Sequence, residues 1–164
     1  PGPLSPGGFA CDTEFTSGRK MAAESIIAAC KALAPKCRAV ILTGGEPTLQ
    51  ADAALSAMFK AEGYHIAIET NGTRQVPPGI DWITVSPKVA EHAIKQLVAS
   101  EVKYVRAWGQ AVPKTRVKAD HYLISPAFDG AELDRRNLEW CVKLCKDKPE
   151  WRLSTQLHKA WVVR

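Results

Sequence analysis

A chain of 164 residues, 46% hydrophobic and 24% charged, is the size and composition of one compact soluble domain with a single core, and with no run of eighteen apolar residues it offers no membrane-spanning helix. The net charge of +5 is scattered through short stretches (KCR, VKYVR, KTRVK) without a basic stripe or interleaved aromatics, so nucleic acid is not an expected partner. Five cysteines, an odd number in a sequence that opens with no charged-then-apolar signal segment, argue against a disulfide framework, and a cytoplasmic location is the default expectation.

The start, PGPLSPGG, is too rich in proline and glycine for a strand or helix, and residues 1–10 are expected to be irregular, followed by a single domain over 11–164. From there the text alternates between two kinds of segment. Helical spacing over 21–34 sets Ile26, Ile27, Cys30 and Leu33 on one side. RAVILT (38–43) is apolar on both faces and suits a buried parallel strand. A helix follows over 51–63, closed by Gly63, and then strands over 64–70 and 81–86. A short helical piece (89–99) leads to a strand at 102–107, and another strand is expected at 121–126. A long amphipathic helix over 131–148 is stopped by Pro149, and 151–163 reads as extended. Within the long helix Cys141 and Cys145 share a face at i, i+4, which reads as small core residues before it reads as a metal pair.

Strand and helix in this rhythm imply right-handed crossovers and a mainly parallel sheet, whose ligands gather at the carboxyl ends of the strands. The polar clusters obey that rule. TGGEP ends one strand, ETNG the next, SPK the third and SPAFDG the fifth, all on one edge. Taken singly most are punctuation: Asn71-Gly72 is a tight-turn dipeptide, Ser86-Pro87 a strand stop, Asp129-Gly130 a turn, and His158 a satisfied core histidine. Glu69 differs, because a carboxylate at the inward end of an apolar strand needs a cationic or hydrogen-bonding partner. Gly44 and Gly45 let backbone carbonyls and amides meet a ligand with no side chain between, Glu46 offers a fixed anion, and Pro47 pre-sets the turn. Carbonyls with a carboxylate suit the ammonium group of a free amino acid.

GGEP after an apolar strand resembles the S-adenosylmethionine (SAM) motif of the radical SAM enzymes, and CDTEF (11–15) resembles the end of their three-cysteine cluster loop. The order of CDTEF, TGGEP, ETNG and VSPK, with RLSTQLHK near the end, resembles the 7-carboxy-7-deazaguanine synthases over nearly the whole chain. That resemblance implies an α/β fold, a partial parallel (β/α) barrel of the radical SAM type without its N-terminal strand. It also implies conversion of 6-carboxy-5,6,7,8-tetrahydropterin to 7-carboxy-7-deazaguanine with loss of ammonia, in queuosine and related 7-deazapurine biosynthesis. The implied cofactors are a 4Fe–4S cluster, SAM and Mg²⁺; the implied partners are the pterin, a flavodoxin-like or ferredoxin-like electron donor, and a second copy of the chain.

Matched to the family motifs, Cys11 is a cluster ligand and Thr13 the Mg²⁺ ligand, while Gly44, Gly45 and Glu46 meet the SAM ammonium. Ser86 and Lys88 lie near the SAM ribose and carboxylate, and Thr43, Glu69, Asn71 and His158 face the pterin. No residue is assigned a catalytic role of its own, because the radical comes from SAM. The chain departs from the pattern in lacking the two earlier cluster cysteines, so as written it is expected to be inactive as a radical enzyme. Ser125, Leu157 and the Arg164 ending also depart from the family's common residues. The alternatives are another small radical SAM activating or maturation enzyme and a cluster-less SAM- or pterin-binding relative; a doubly wound nucleotide-binding domain is disfavoured by the absence of G-x-G-x-x-G.

Overall fold

The computed structural model describes residues 21–129 and 132–157. Among these residues six parallel strands form the sheet: β1 (Ala39–Leu42), β2 (His65–Thr70), β3 (Trp82–Val85), β4 (Val98–Arg106), β5 (Lys118–Pro126) and β8 (Trp151–Leu153). They lie in sequence order, each hydrogen-bonded to the next. The mainly parallel α/β architecture expected from the alternating segments is therefore present. Between β5 and β8 a two-strand antiparallel hairpin, β6 (Phe128–Asp129) and β7 (Glu132–Leu133), precedes the last helix.

Among the described residues three α-helices cover one face: α1 (Ala23–Leu33), α2 (Ala53–Ala61) and α3 (Arg135–Asp147). Local chemistry sets their starts. The Asp52 carboxylate accepts from the Leu55 amide at 2.8 Å, and Asp134 accepts from the amides of Arg136 and Asn137, so two helices carry acidic N-caps. Gly63, at φ 76°, takes the left-handed turn out of α2 and delivers the chain directly into β2.

Register explains how the core forms. Paired residues of neighbouring strands share a face, and Leu42, Ile68 and Ile83 are paired in succession, as are Val85, Val102 and Tyr122. These residues look toward the helices. Ile27, Phe59, Tyr64 and Ile66 close one cluster beneath α1 and α2; Val85, Val102, Tyr104, Ile124, Cys141, Leu144 and Trp151 close a second beneath α3. Tyr104 and Tyr122 both meet Trp151 edge-on. Cys141 and Cys145 pack on this side, and no group of three metal-ligating side chains occurs among the described residues.

Three expectations need correction. RAVILT is not buried on both faces: Ile41 is 67% exposed, because alternate residues of β1 look away from the helices. The segment 89–99 is not a helix beyond one 3₁₀ turn (Glu91–Ala93). Its next amides, Lys95 and Gln96, donate to the Gly72 carbonyl in place of a helical acceptor, and β4 begins at Val98. The last helix starts at Arg135, after the hairpin has used Glu132 and Leu133. The extended reading of the final segment holds as strand for Trp151–Leu153, while residues 158–163 lie outside the described residues, as do residues 1–10.

Candidate functional site

At the carboxyl ends of β1, β2 and β3 the chain makes three adjacent loops. The first begins with Thr43, exposed at the end of β1, and continues through Gly44 at φ 105°, a conformation that L side chains rarely adopt. Gly45 is exposed, and Glu46 caps a 3₁₀ turn (Pro47–Leu49). The glycine pair thus presents backbone at the end of the strand with no Cβ beside it.

Glu46 is the joint between the loops. Its Oε1 accepts from the Thr48 amide at 3.1 Å, from the Thr48 hydroxyl, and from the Thr70 hydroxyl at 2.6 Å. Its Oε2 accepts from the Asn71 amide at 2.8 Å. Burial alone would push this carboxyl up, but the hydrogen bonds from Thr48, Thr70 and Asn71 outweigh it and hold the carboxyl below its ordinary value. The anion expected at this position is present. Four protein donors hold it, leaving one lone pair of Oε2 for anything else.

Asn71 is fixed by the same set. Its amide donates to Glu46, and its side-chain oxygen accepts from the amide and hydroxyl of Thr73 at 2.8 and 2.7 Å. The turn reading of Asn-Gly is therefore correct, and the side-chain NH₂ is the part of Asn71 left to meet a ligand. Gly72 turns at φ 78° and is buried: a Cβ there would meet Val85 Cγ1 at 2.8 Å and Ile94 Cγ2 at 3.2 Å. On the next strand the Ser86 amide donates to the Thr70 carbonyl at 2.8 Å, and the Lys88 ammonium donates to the Ser86 hydroxyl at 3.2 Å. Ser86 and Lys88 are thus brought together beside the Asn71 turn.

Glu69 has the cationic partner its position demanded. Lys103 Nζ lies 2.8 Å from Glu69 Oε1, having reached across β3 from β4. The two belong to a polar row on the face opposite the helices, where register pairs Glu69 with Thr84, Thr84 with Glu101, and Glu101 with His121. Thr84 donates to Glu101 at 2.8 Å, and His121 stacks on Trp82 at 5.7 Å.

Cys11, Thr13 and His158 lie outside the described residues. Thr48, Thr70 and Lys103 were not singled out in the sequence. A signal existed for the lysine: Glu101 and Lys103 alternate with Val102 and Tyr104, placing two charges on one face of an otherwise apolar strand. The threonines carried none, since an isolated hydroxyl at a strand end is ordinary turn chemistry.

The polar ends of SAM suit this edge. Backbone at Gly44 and Gly45 is of the kind an ammonium needs, and the Lys88 ammonium beside the Ser86 hydroxyl is of the kind that suits a carboxylate or ribose.

The radical SAM superfamily model matches residues 9–110. Proteins named 7-carboxy-7-deazaguanine synthase from Caulobacter vibrioides and Bordetella pertussis are each 40% identical over 160 residues, covering 91% of this chain and 75% of theirs. One from Bradyrhizobium diazoefficiens is 37% identical over 165 residues, covering 94% and 77%. The crystal structure of QueE from Escherichia coli shares the fold at a TM-score of 0.60 and 24% identity, over 83% of this chain and 64% of that one.

Proposed function

The chain belongs to the 7-carboxy-7-deazaguanine synthase family of the radical SAM superfamily, and from that premise we propose that the loop edge of its sheet serves the conversion of 6-carboxy-5,6,7,8-tetrahydropterin to 7-carboxy-7-deazaguanine, a reaction that also needs the two cluster cysteines that residues 1–164 do not supply. Superfamily membership brings a 4Fe–4S cluster and SAM, which together supply, when bound, the radical that starts the ring contraction. The protein's share is to bind, orient and exclude water.

Gly44 and Gly45 offer backbone to the SAM ammonium while Glu46 holds the loop, and Ser86 and Lys88 take the ribose and carboxylate end. Thr43, Glu69, Asn71 and His158 form the pterin side, with the Asn71 amide group and the Glu69 carboxylate complementary to the donor and acceptor edge of a pterin ring. Cys11 is a cluster ligand and Thr13 binds Mg²⁺, a hard cation suited to a hydroxyl and water. A flavodoxin-like or ferredoxin-like donor supplies the electron, and the protein acts as a homodimer in the cytoplasm. No described helix is long and apolar enough to cross a membrane.

The observation that carries this reading is the convergence of two strand-end motifs through one carboxylate, Glu46, which takes hydrogen bonds from both the TGGEP and ETNG loops, with Ser86 of the third motif donating to the Thr70 carbonyl beside them. Calorimetric titration with SAM under anaerobic conditions tests it. The Lys88→Met substitution should weaken binding about tenfold or more, as expected for a lost charge-assisted contact, and Gly45→Val should abolish it with the circular dichroism spectrum intact. Unchanged affinity in both variants overturns the assignment of this edge to SAM.

A further inference from the structure

The ion pair between Glu69 and Lys103 joins two strands that are not neighbours. Glu69 is the fifth residue of β2, Lys103 lies in β4, and β3 runs between them. Adjacent strands are about 4.8 Å apart, so a lysine must extend across one whole strand to place its ammonium 2.8 Å from a carboxylate two strands away. Lys103 does so with its side chain 19% exposed, against 38% for Glu69, so the cation is the better covered partner. Salt bridges at a fully exposed surface contribute little, but here a long side chain is laid down over the sheet in one extended path.

The two oxygens of Glu69 are not equivalent. Oε1 faces Lys103, and Oε2 has no protein partner among the described residues. The carboxylate stands one residue before Thr70, whose hydroxyl donates to Glu46, and two before Asn71, whose amide does the same. The backbone that carries Glu69 is therefore fixed at its loop end, and the side chain is fixed by Lys103.

We propose that Lys103 is a positioning residue for the pterin site: it fixes the orientation of Glu69 so that Oε2 points as a hydrogen-bond acceptor toward the N–H groups of the pterin's aminopyrimidinone edge. This deepens the proposed function and rests on its placement of Glu69 at the substrate. Lysine cannot be replaced by a shorter cation, because the span across β3 requires the full stem. Arginine, long and always charged, should restore the pairing in part.

The test is calorimetric titration of 6-carboxy-5,6,7,8-tetrahydropterin into the chain under anaerobic conditions with SAM present, for the unaltered protein, E69Q, K103M, K103R and the double variant E69Q/K103M. The expected result is about tenfold weaker pterin binding for E69Q and for K103M, partial recovery in K103R, and no additional loss in the double variant, with SAM affinity unchanged throughout. If E69Q weakens pterin binding while K103M does not, or if the two losses simply add, the positioning role is overturned and the placement of Glu69 stands. If E69Q has no effect, or the unaltered protein binds no pterin, the placement of Glu69 at the substrate falls and the proposal with it.

Discussion

The Glu46 carboxylate accepts a hydrogen bond from the Asn71 amide at 2.8 Å, tying together two loops that follow different strands. The same carboxylate accepts from the Thr70 hydroxyl, which in turn accepts from the Gly72 amide at 3.1 Å. A single acidic side chain thereby sets the relative position of the TGGEP and ETNG segments. Its negative charge is useful to the loops whether or not a ligand is present.

Replacing Glu46 with glutamine turns Oε2 into an amide NH₂ facing the Asn71 N–H, donor against donor. The E46Q variant should lose about 1–2 kcal/mol of stability at neutral pH, measured by urea unfolding. Because the folded-state carboxyl lies below its ordinary value of 4.5, its contribution is present above 4.5 and disappears as pH falls through the lower folded value. The gap between the two proteins should therefore narrow below pH 4.5; a constant gap would show that the charge is not what holds the loops.

Two glycines with the same backbone twist separate strain from crowding. Gly72 and Gly63 have φ of 78° and 76°, but a Cβ at Gly72 would collide with Val85 and Ile94, while at Gly63 it meets nothing within 4 Å. Gly63→Ala should cost about 1–2 kcal/mol, the strain alone. Gly72→Ala should cost about 2–4 kcal/mol, strain plus overpacking, and should also weaken SAM binding through the displaced turn. Equal costs would mean that the packing around Gly72 yields freely.

Tyr64 is buried, and its hydroxyl has no hydrogen-bond partner among the described residues. Its ring packs edge-on against Phe59 and beneath the Arg38 guanidinium, contacts that a phenylalanine keeps. Tyr64→Phe should stabilise the protein by about 1 kcal/mol, read as a raised urea midpoint at constant slope. A loss of stability would reveal a partner for the hydroxyl.

Burial pushes the Cys141 thiol up to about 11, with its neighbour Cys145 adding to the effect. Cys37 is exposed. Iodoacetamide at pH 7.5 should alkylate Cys37 about a hundredfold faster than Cys141 in the native protein, with the difference vanishing in denaturant, as peptide mass spectrometry would show. Comparable rates would mean that α3 opens readily from the sheet.

The sequence by itself determined the order of strands and helices, and with it the edge on which the polar clusters fall, because both follow from periodicity and turn chemistry within a few residues. RAVILT followed by GG needs no distant information to end a strand and begin a loop. It also carried the demand for a partner at Glu69, from the cost of an unpaired charge, without identifying Lys103, which lies 34 residues away in the chain. Local pattern misled where distant groups supplied the hydrogen bonds. The Gly72 carbonyl takes the amides of Lys95 and Gln96, ending the helical text at 89–99, and the β6–β7 hairpin takes the start of the last helix. What only the tertiary structure decided was which side chains meet: Glu46 with Asn71, Glu69 with Lys103, Thr84 with Glu101. Those pairings depend on strand register and on which face each residue occupies, and register is set by the packing of the whole sheet against its helices.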